Sequence, residues 1–239
     1  MSDIFKELKK YASASRKKSN EWFFKTGKGQ YGEGDIFIGV SNPDARTVVK
    51  KFAHASLSDV QDALNSAIHE ERLVGALILV AQYERAKSNA DRLRVVKFYL
   101  RNLKRINNWD LVDLSAYKIL GHAILNEIID ESILDKLSDS KNMWYRRVAI
   151  ISTMAFIREG KFDTSLKIAQ RLMSDTEDLT QKAVGWTLRE VWKKDAQLCE
   201  EFLRSHYDSL PRTTLRYAIE RMEESKRQKF LKNSKIISE

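Results

Sequence analysis

Apolar residues recur at three- and four-residue intervals along almost the whole chain, the spacing that gathers them on one face of a helix. Leu73, Leu77, Val80 and Ala81 form one such set, and Val95, Phe98, Tyr99 and Leu103 another. Ile150, Met154 and Ile157, then Leu166, Ala169 and Leu172, continue the pattern. The periodicity predicts about a dozen helices, with spans 3–14, 19–25, 43–54, 58–68, 70–87, 90–105, 108–126, 131–138, 142–159, 163–174, 178–194, 196–207 and 211–231. Polar start signals agree. Asn42-Pro43 reads as an N-cap followed by proline in the first turn, and Ser58 and Ser88-Asn89 precede periodic runs. Gly160 and Pro211 fall between helical patterns. The run from Asp35 to Val40 is strand-like but has no second run to pair with, so it is expected to be an extended link. The glycine-rich tract from Gly27 to Gly34 before it is expected to be a flexible loop.

Segments beginning Glu71-Arg72-Leu73-Val74, Trp109-Asp110-Leu111-Val112, Arg146-Arg147-Val148-Ala149 and Gln181-Lys182-Ala183-Val184 recur at a spacing typical of HEAT-like helical pairs. Stacked pairs bury one face on their neighbours and line a concave surface with equivalent helices. The expected fold is all-α, a HEAT-like helical repeat solenoid with a concave basic groove. A single repeat domain is expected over 1–239: N-terminal helices and the glycine-rich loop over 1–34, a repeat body over 35–231, and a polar tail over 232–239.

Composition sharpens this picture. Two prolines and nine glycines in 239 residues favour long helices over a turn-rich β fold, and 43% hydrophobic residues suffice for a continuous core. Forty-two Lys and Arg against 33 Asp and Glu leave a formal charge of +9, which points to a polyanionic partner without saying which. Cys199 is the single cysteine, so no disulfide can close within the chain, and a reducing, cytoplasmic location is expected. No apolar run is long enough to span a bilayer, and Met1 to Lys10 lacks an apolar signal core. Scattered histidines without zinc spacing, and Gly27-Lys28-Gly29 without the rest of a P-loop, give no reason to expect a metal or cofactor.

Three helix starts carry candidate chemistry. In Asn107-Asn108-Trp109-Asp110-Leu111-Val112-Asp113, Trp109 and Asp113 are four apart and share a helix face. Asn142-Met143-Trp144-Tyr145-Arg146-Arg147 places two arginines at a comparable point of the next repeat. Gln181 to Glu190 brings Lys182, Trp186 and Arg189, with Lys193 one turn further on. Each residue taken singly has an ordinary explanation: a helical tryptophan is usually core, and an aspartate or arginine is usually solvated or salt-bridged. Trp144 and Trp192 are assigned to packing, and Trp22 is left undecided. Recurrence at repeat-equivalent positions makes Trp109, Asp113, Arg147 and Trp186 a candidate constellation on one patch. Such a set suits a purine alkylated on its ring. The base is already cationic and leaves neutral, so no general acid is needed. An electron-rich indole holds the cation, a carboxylate stabilises positive charge developing on the sugar and positions water, and an arginine holds phosphate.

At these three tracts the chain resembles the bacterial DNA alkylation repair enzymes of the AlkD family, HEAT-like-repeat DNA glycosylases, from about Phe37 onward. The resemblance implies that Asp113 is the catalytic carboxylate, that Trp109 and Trp186 contact the backbone of the lesion nucleotide, and that Arg147 grips DNA beside them. It also implies duplex binding on the concave face, and excision of N3- and N7-alkylated purines without turning the base into a protein pocket. The family has a third cleft aromatic near its N-terminus. Here Trp22, Phe23, Phe24 and Tyr31 all compete for that role.

Two functions are therefore set against each other. One is a monofunctional hydrolase of the N-glycosidic bond of 3-methyladenine and 7-methylguanine in duplex DNA, acting as a monomer in base excision repair. The other is a non-catalytic HEAT-like module for DNA or RNA. Arg146, Arg147, Lys182, Arg189 and Lys193 are the expected DNA-binding cations in either case.

Overall fold

The computed structural model describes residues 3–232, so the expected polar tail, apart from Lys232 at the end of the last helix, lies outside the described residues. The fold is all-α and helical-repeat in character, and the chain divides into two compact units, 1–119 and 120–239. The first unit contains α1 (Asp3–Lys9), α2 (Ala14–Phe23), α3 (Asn42–Lys51), α4 (Leu57–Asn65), α5 (His69–Arg85), α6 (Asn89–Arg101) and α7 (Trp109–Ala116). A π-helical turn, Tyr117–Gly121, follows α7. The second unit contains α8 (His122–Leu125), α9 (Ser132–Ser138), α10 (Met143–Ser152), α11 (Met154–Arg158), α12 (Asp163–Arg171), α13 (Asp178–Lys194), α14 (Ala196–Ser205), α15 (Arg212–Ala218) and α16 (Glu224–Lys232).

Each unit is organised on one 17-residue helix. In the first, α5 packs against α3, α4, α6 and α7, and Val74, Ala76, Ile78 and Leu79 along it are fully buried. In the second, α13 packs against α10, α11, α12, α14 and α15, with Ala183, Val184, Leu188 and Val191 inside. The α13–α15 approach depends on Gly185. A Cβ there would sit 2.5 Å from the Thr214 carbonyl oxygen and 2.5 Å from Tyr217 Cβ. Backbone cannot yield as a flexible side chain can, so Gly185→Ala should cost about 1–3 kcal/mol. Urea unfolding measures this; an unchanged midpoint would mean that the two helices slide apart freely.

Caps set most helix starts. Ser41, not Asn42, caps α3 by accepting from Asp44 N, with Pro43 in the first turn. Ser56 and Asp59 form a reciprocal capping box on α4, displacing the expected start at Ser58, and Ser88 caps α6 as expected. The predicted helix at 19–25 begins earlier, at Ala14, because Ser13 Oγ accepts from Arg16 N at 3.4 Å. The predicted helix at 142–159 is divided at Thr153, and that at 211–231 between Ala218 and Glu224. The link at 35–40 is extended, with one isolated parallel bridge from Ile36 to Ile68. The glycine-rich tract is a set of closed turns: Gly29 N donates to Glu33 Oε2 at 2.7 Å and Gly32 N to the Lys25 carbonyl at 3.2 Å.

Candidate active site

Trp109 opens α7 on a cap whose side chain does two jobs. Asn108 Oδ1 accepts from Trp109 N at 2.8 Å while Asn108 Nδ2 donates to Asp35 at 3.0 Å. The indole is half-buried. It stacks on Phe24 at 5.1 Å and 10°, and Phe23 makes a T-shaped contact with it at 5.7 Å and 77°. Of the four N-terminal aromatics that the sequence left competing, Phe23 and Phe24 are in ring contact with Trp109. The Tyr31 hydroxyl donates to the Phe23 carbonyl at 3.3 Å. Trp22 is 82% exposed, and Phe23, beside the Trp109 ring, is 55% exposed. Asp113 lies one turn along α7, half-buried, with its charge felt by the buried Tyr99 hydroxyl.

Behind this surface runs a buried polar network that sequence reasoning missed. His69, first residue of α5, places Nε2 at 2.8 Å from Asp110 Oδ2 and Nδ1 at 3.0 Å from Asp35 Oδ2. Arg72 Nη2 meets the other Asp35 oxygen at 2.5 Å. Glu70 accepts from the backbone N–H groups of Ile38, Gly39 and Val40, the shortest at 2.8 Å, and so clips the 35–40 link onto α5. Gly39 has φ +81°, and a Cβ there would meet the Ser13 carbonyl at 2.1 Å, so the clip needs glycine. Four consecutive ionisable residues, His69 to Arg72, are thus buried at a helix start. That run was the available sequence signal.

Burial alone would push the His69 imidazole down. The charge and hydrogen bond of Asp110, followed by those of Asp35, outweigh it and raise the imidazole to about 9. Burial would likewise raise Asp35, but His69, Arg72 and Asn108 hold it below the usual carboxylate range. A histidine raised on folding stabilises the fold fully below its unfolded value near 6.5 and loses that contribution as pH climbs through about 9. The loss is expected to be roughly 3 kcal/mol. Urea unfolding at the two ends of that window should show it in the wild type and not in His69→Gln. Equal pH dependence in both would place the titration elsewhere.

In the second unit, Lys182, Trp186, Arg189 and Lys193 fall at steps of four, three and four along α13 and form one stripe. Trp186 is half-buried, with Nε1 donating to Glu190 Oε1 at 3.2 Å. Each cation has a carboxylate neighbour: Lys182 with Asp178 at 2.7 Å, Lys193 with Glu190 at 2.7 Å, and Arg189 with Glu220. Such partly exposed pairs contribute little, about 0–1 kcal/mol, so phosphate can displace them.

The α10 arginines are placed differently from that stripe. Arg146 grips Asp175 through Nε at 2.6 Å and Nη2 at 3.1 Å, and its Nη1 donates to the Ser140 and Lys141 carbonyls. It is tied internally to Asp175 and to two backbone carbonyls. Arg147 is 6% exposed and donates through Nη1 to the Leu179 carbonyl in the first turn of α13. Trp144 is buried, and Trp192 Nε1 donates to Glu200 at 3.2 Å.

A family model described as DNA alkylation repair enzyme matches residues 4–222. The chain belongs to that family. Membership gives this DNA alkylation repair family member an enzymatic role in the repair of alkylated DNA, with DNA as its partner. One solved structure that it matches is a predicted DNA alkylation repair enzyme from Enterococcus faecalis. The TM-score is 0.70 at 18% identity, covering 89% of this chain and 97% of that one. At that identity the likeness speaks for the all-α fold alone. Among the curated proteins, nothing matches the sequence. Among the described residues no helix is long and apolar enough to cross a membrane.

Proposed function

We propose that this alkylation repair family member is a monofunctional DNA glycosylase that hydrolyses the N-glycosidic bond of cationic N3- and N7-alkylated purines in duplex DNA. The observation that carries this reading is on α7: a half-buried carboxylate, Asp113, one turn from an indole whose plane is fixed by Phe24 and Phe23. Trp109 offers an electron-rich face to the lesion nucleotide, and Phe23 and Phe24 complete the aromatic wall beside it. Asp113 stabilises the positive charge that builds on the sugar as the neutral base departs, and it orients the water that captures the sugar. Asp110, on the same helix, is engaged with His69 and is left out of the chemistry.

In the second unit, Lys182, Arg189 and Lys193 supply phosphate contacts, and Trp186 packs on the backbone of DNA. Arg147 is only 6% exposed, so its share of the affinity is smaller. Arg146 is not included, because it is tied to Asp175 and to the Ser140 and Lys141 carbonyls. The test is incubation of the purified chain with methylated duplex DNA, followed by chromatography for free 7-methylguanine and 3-methyladenine. Binding without release of either base would favour the non-catalytic module instead.

A further inference from the structure

The two residues that flank Trp109 are tied to one imidazole by different routes. On one side, Asn108 donates to Asp35 Oδ2, the same oxygen that faces His69 Nδ1. On the other, Asp110 Oδ2 faces His69 Nε2 while its Oδ1 accepts from Leu111 N at 2.8 Å. The result is a closed ring of contacts running from His69 through Asp35 and Asn108 to the start of α7, and back through Asp110. We propose that His69, held as an imidazolium between Asp35 and Asp110, is a positioning residue that fixes the start of α7 and thereby the attitude of Trp109 and Asp113 toward DNA.

Hydrogen-bond chemistry requires the charge. A carboxylate only accepts, and a neutral imidazole has one donor and one lone pair. With carboxylate oxygens at 2.8 and 3.0 Å from the two ring nitrogens, the neutral form would aim its lone pair at an anion. Only the imidazolium donates both ways. The groups that face it are Asp35 from the link, Asp110 from α7, and the rings of Phe24 at 4.9 Å and Phe37 at 4.5 Å. Arg72 neutralises the far oxygen of Asp35, and Glu70, its neighbour on α5, is occupied by the backbone of 38–40. Phe24 makes the second connection, since the ring that lies against His69 is the one stacked on Trp109. An imidazolium against an aromatic face is itself favourable.

The inference rests on reading Trp109 and Asp113 as the working groups, so its test needs a signal that does not depend on excision. The full chain labelled with 5-fluorotryptophan supplies one, with the Trp109 resonance assigned by its absence in Trp109→Phe. In the wild type that resonance should shift between pH 7 and 10, with a midpoint near the His69 value of about 9. In His69→Gln the shift should be absent. The same variant should release 7-methylguanine about tenfold to a hundredfold more slowly under single turnover, as expected for a misplaced site, while binding undamaged duplex as before. The double variant His69→Gln/Asp110→Asn removes the carboxylate stranded by the first change, and should recover much of that rate. A wild-type Trp109 resonance that does not move with pH, or a folded His69→Gln with the full wild-type rate, overturns the proposal. If the single variant does not fold, the wild-type titration still decides. If the wild type releases no base at all, the glycosylase reading fails and the fluorine titration alone judges His69.

Discussion

Replacing Asp113 by Asn should slow single-turnover release of 7-methylguanine by about 10²–10³ while leaving affinity for undamaged duplex unchanged or slightly raised. Asparagine keeps the size and much of the hydrogen bonding of the carboxylate and deletes only its charge. That charge matters most when the sugar becomes cationic, so the loss falls on the rate. In the ground state the carboxylate opposes nearby phosphates, so removing it does not weaken binding. Asp113 is half-buried on α7, and its charge is felt by the buried hydroxyl of Tyr99, which Ser115 also holds at 2.9 Å. A purely structural Asp113 would lose fold and binding together, and a bystander would lose nothing. The pairing of slow release with intact affinity separates both from the catalytic role.

The second large effect is on salt. The α13 stripe carries three cations, Lys182, Arg189 and Lys193, whose carboxylate partners are themselves exposed or partly so. Neutralising three phosphates gives a log–log salt slope of about −2.7 on B-DNA, so a tenfold rise in salt should weaken duplex binding by roughly 500-fold or more. Lys193→Ala should flatten the slope by about 0.9 and lower affinity alike for damaged and undamaged duplex, because phosphate contacts carry no sequence information. Arg146→Ala should instead lower stability, since it frees Asp175 in a buried position, where the side chain is 2% exposed. A slope near zero would remove the stripe from the DNA interface.

What the sequence reveals depends on how far apart the partners lie along the chain. The two organising helices are legible almost to the residue: 70–87 was expected against an observed His69–Arg85, and 178–194 matches Asp178–Lys194. Their apolar periodicity runs without interruption because each is packed on several sides. Helix α2 has no buried residue, so periodicity carried no signal for its start, and only the Ser13 cap defines it. The division at Thr153 is hidden for the opposite reason, since apolar residues continue across it on both sides.

The same contrast governs the candidate site. Trp109 with Asp113, and Lys182 with Trp186, can be paired from spacing alone because one helix carries both members. The His69 ring contacts reach 34 and 41 residues away, to Asp35 and Asp110, and beyond the charged run from His69 to Arg72 no local pattern announces them. Arg146 reads as a groove cation until Asp175, 29 residues on, is seen to hold it. The contacts of Phe23 and Phe24, at the end of α2, with Trp109 likewise have no local pattern to announce them.

The most direct test of the account uses a duplex with a single 7-methylguanine and an end label, incubated with excess wild-type enzyme. Hydrolysis of the glycosidic bond predicts that the labelled strand stays whole until it is heated in alkali, and is then cut at the lesion alone, with free 7-methylguanine in matching amount. Cutting at the lesion no greater than in the enzyme-free control, although the protein binds the duplex with the expected salt slope, would contradict glycosidic hydrolysis and leave a DNA-binding module in its place.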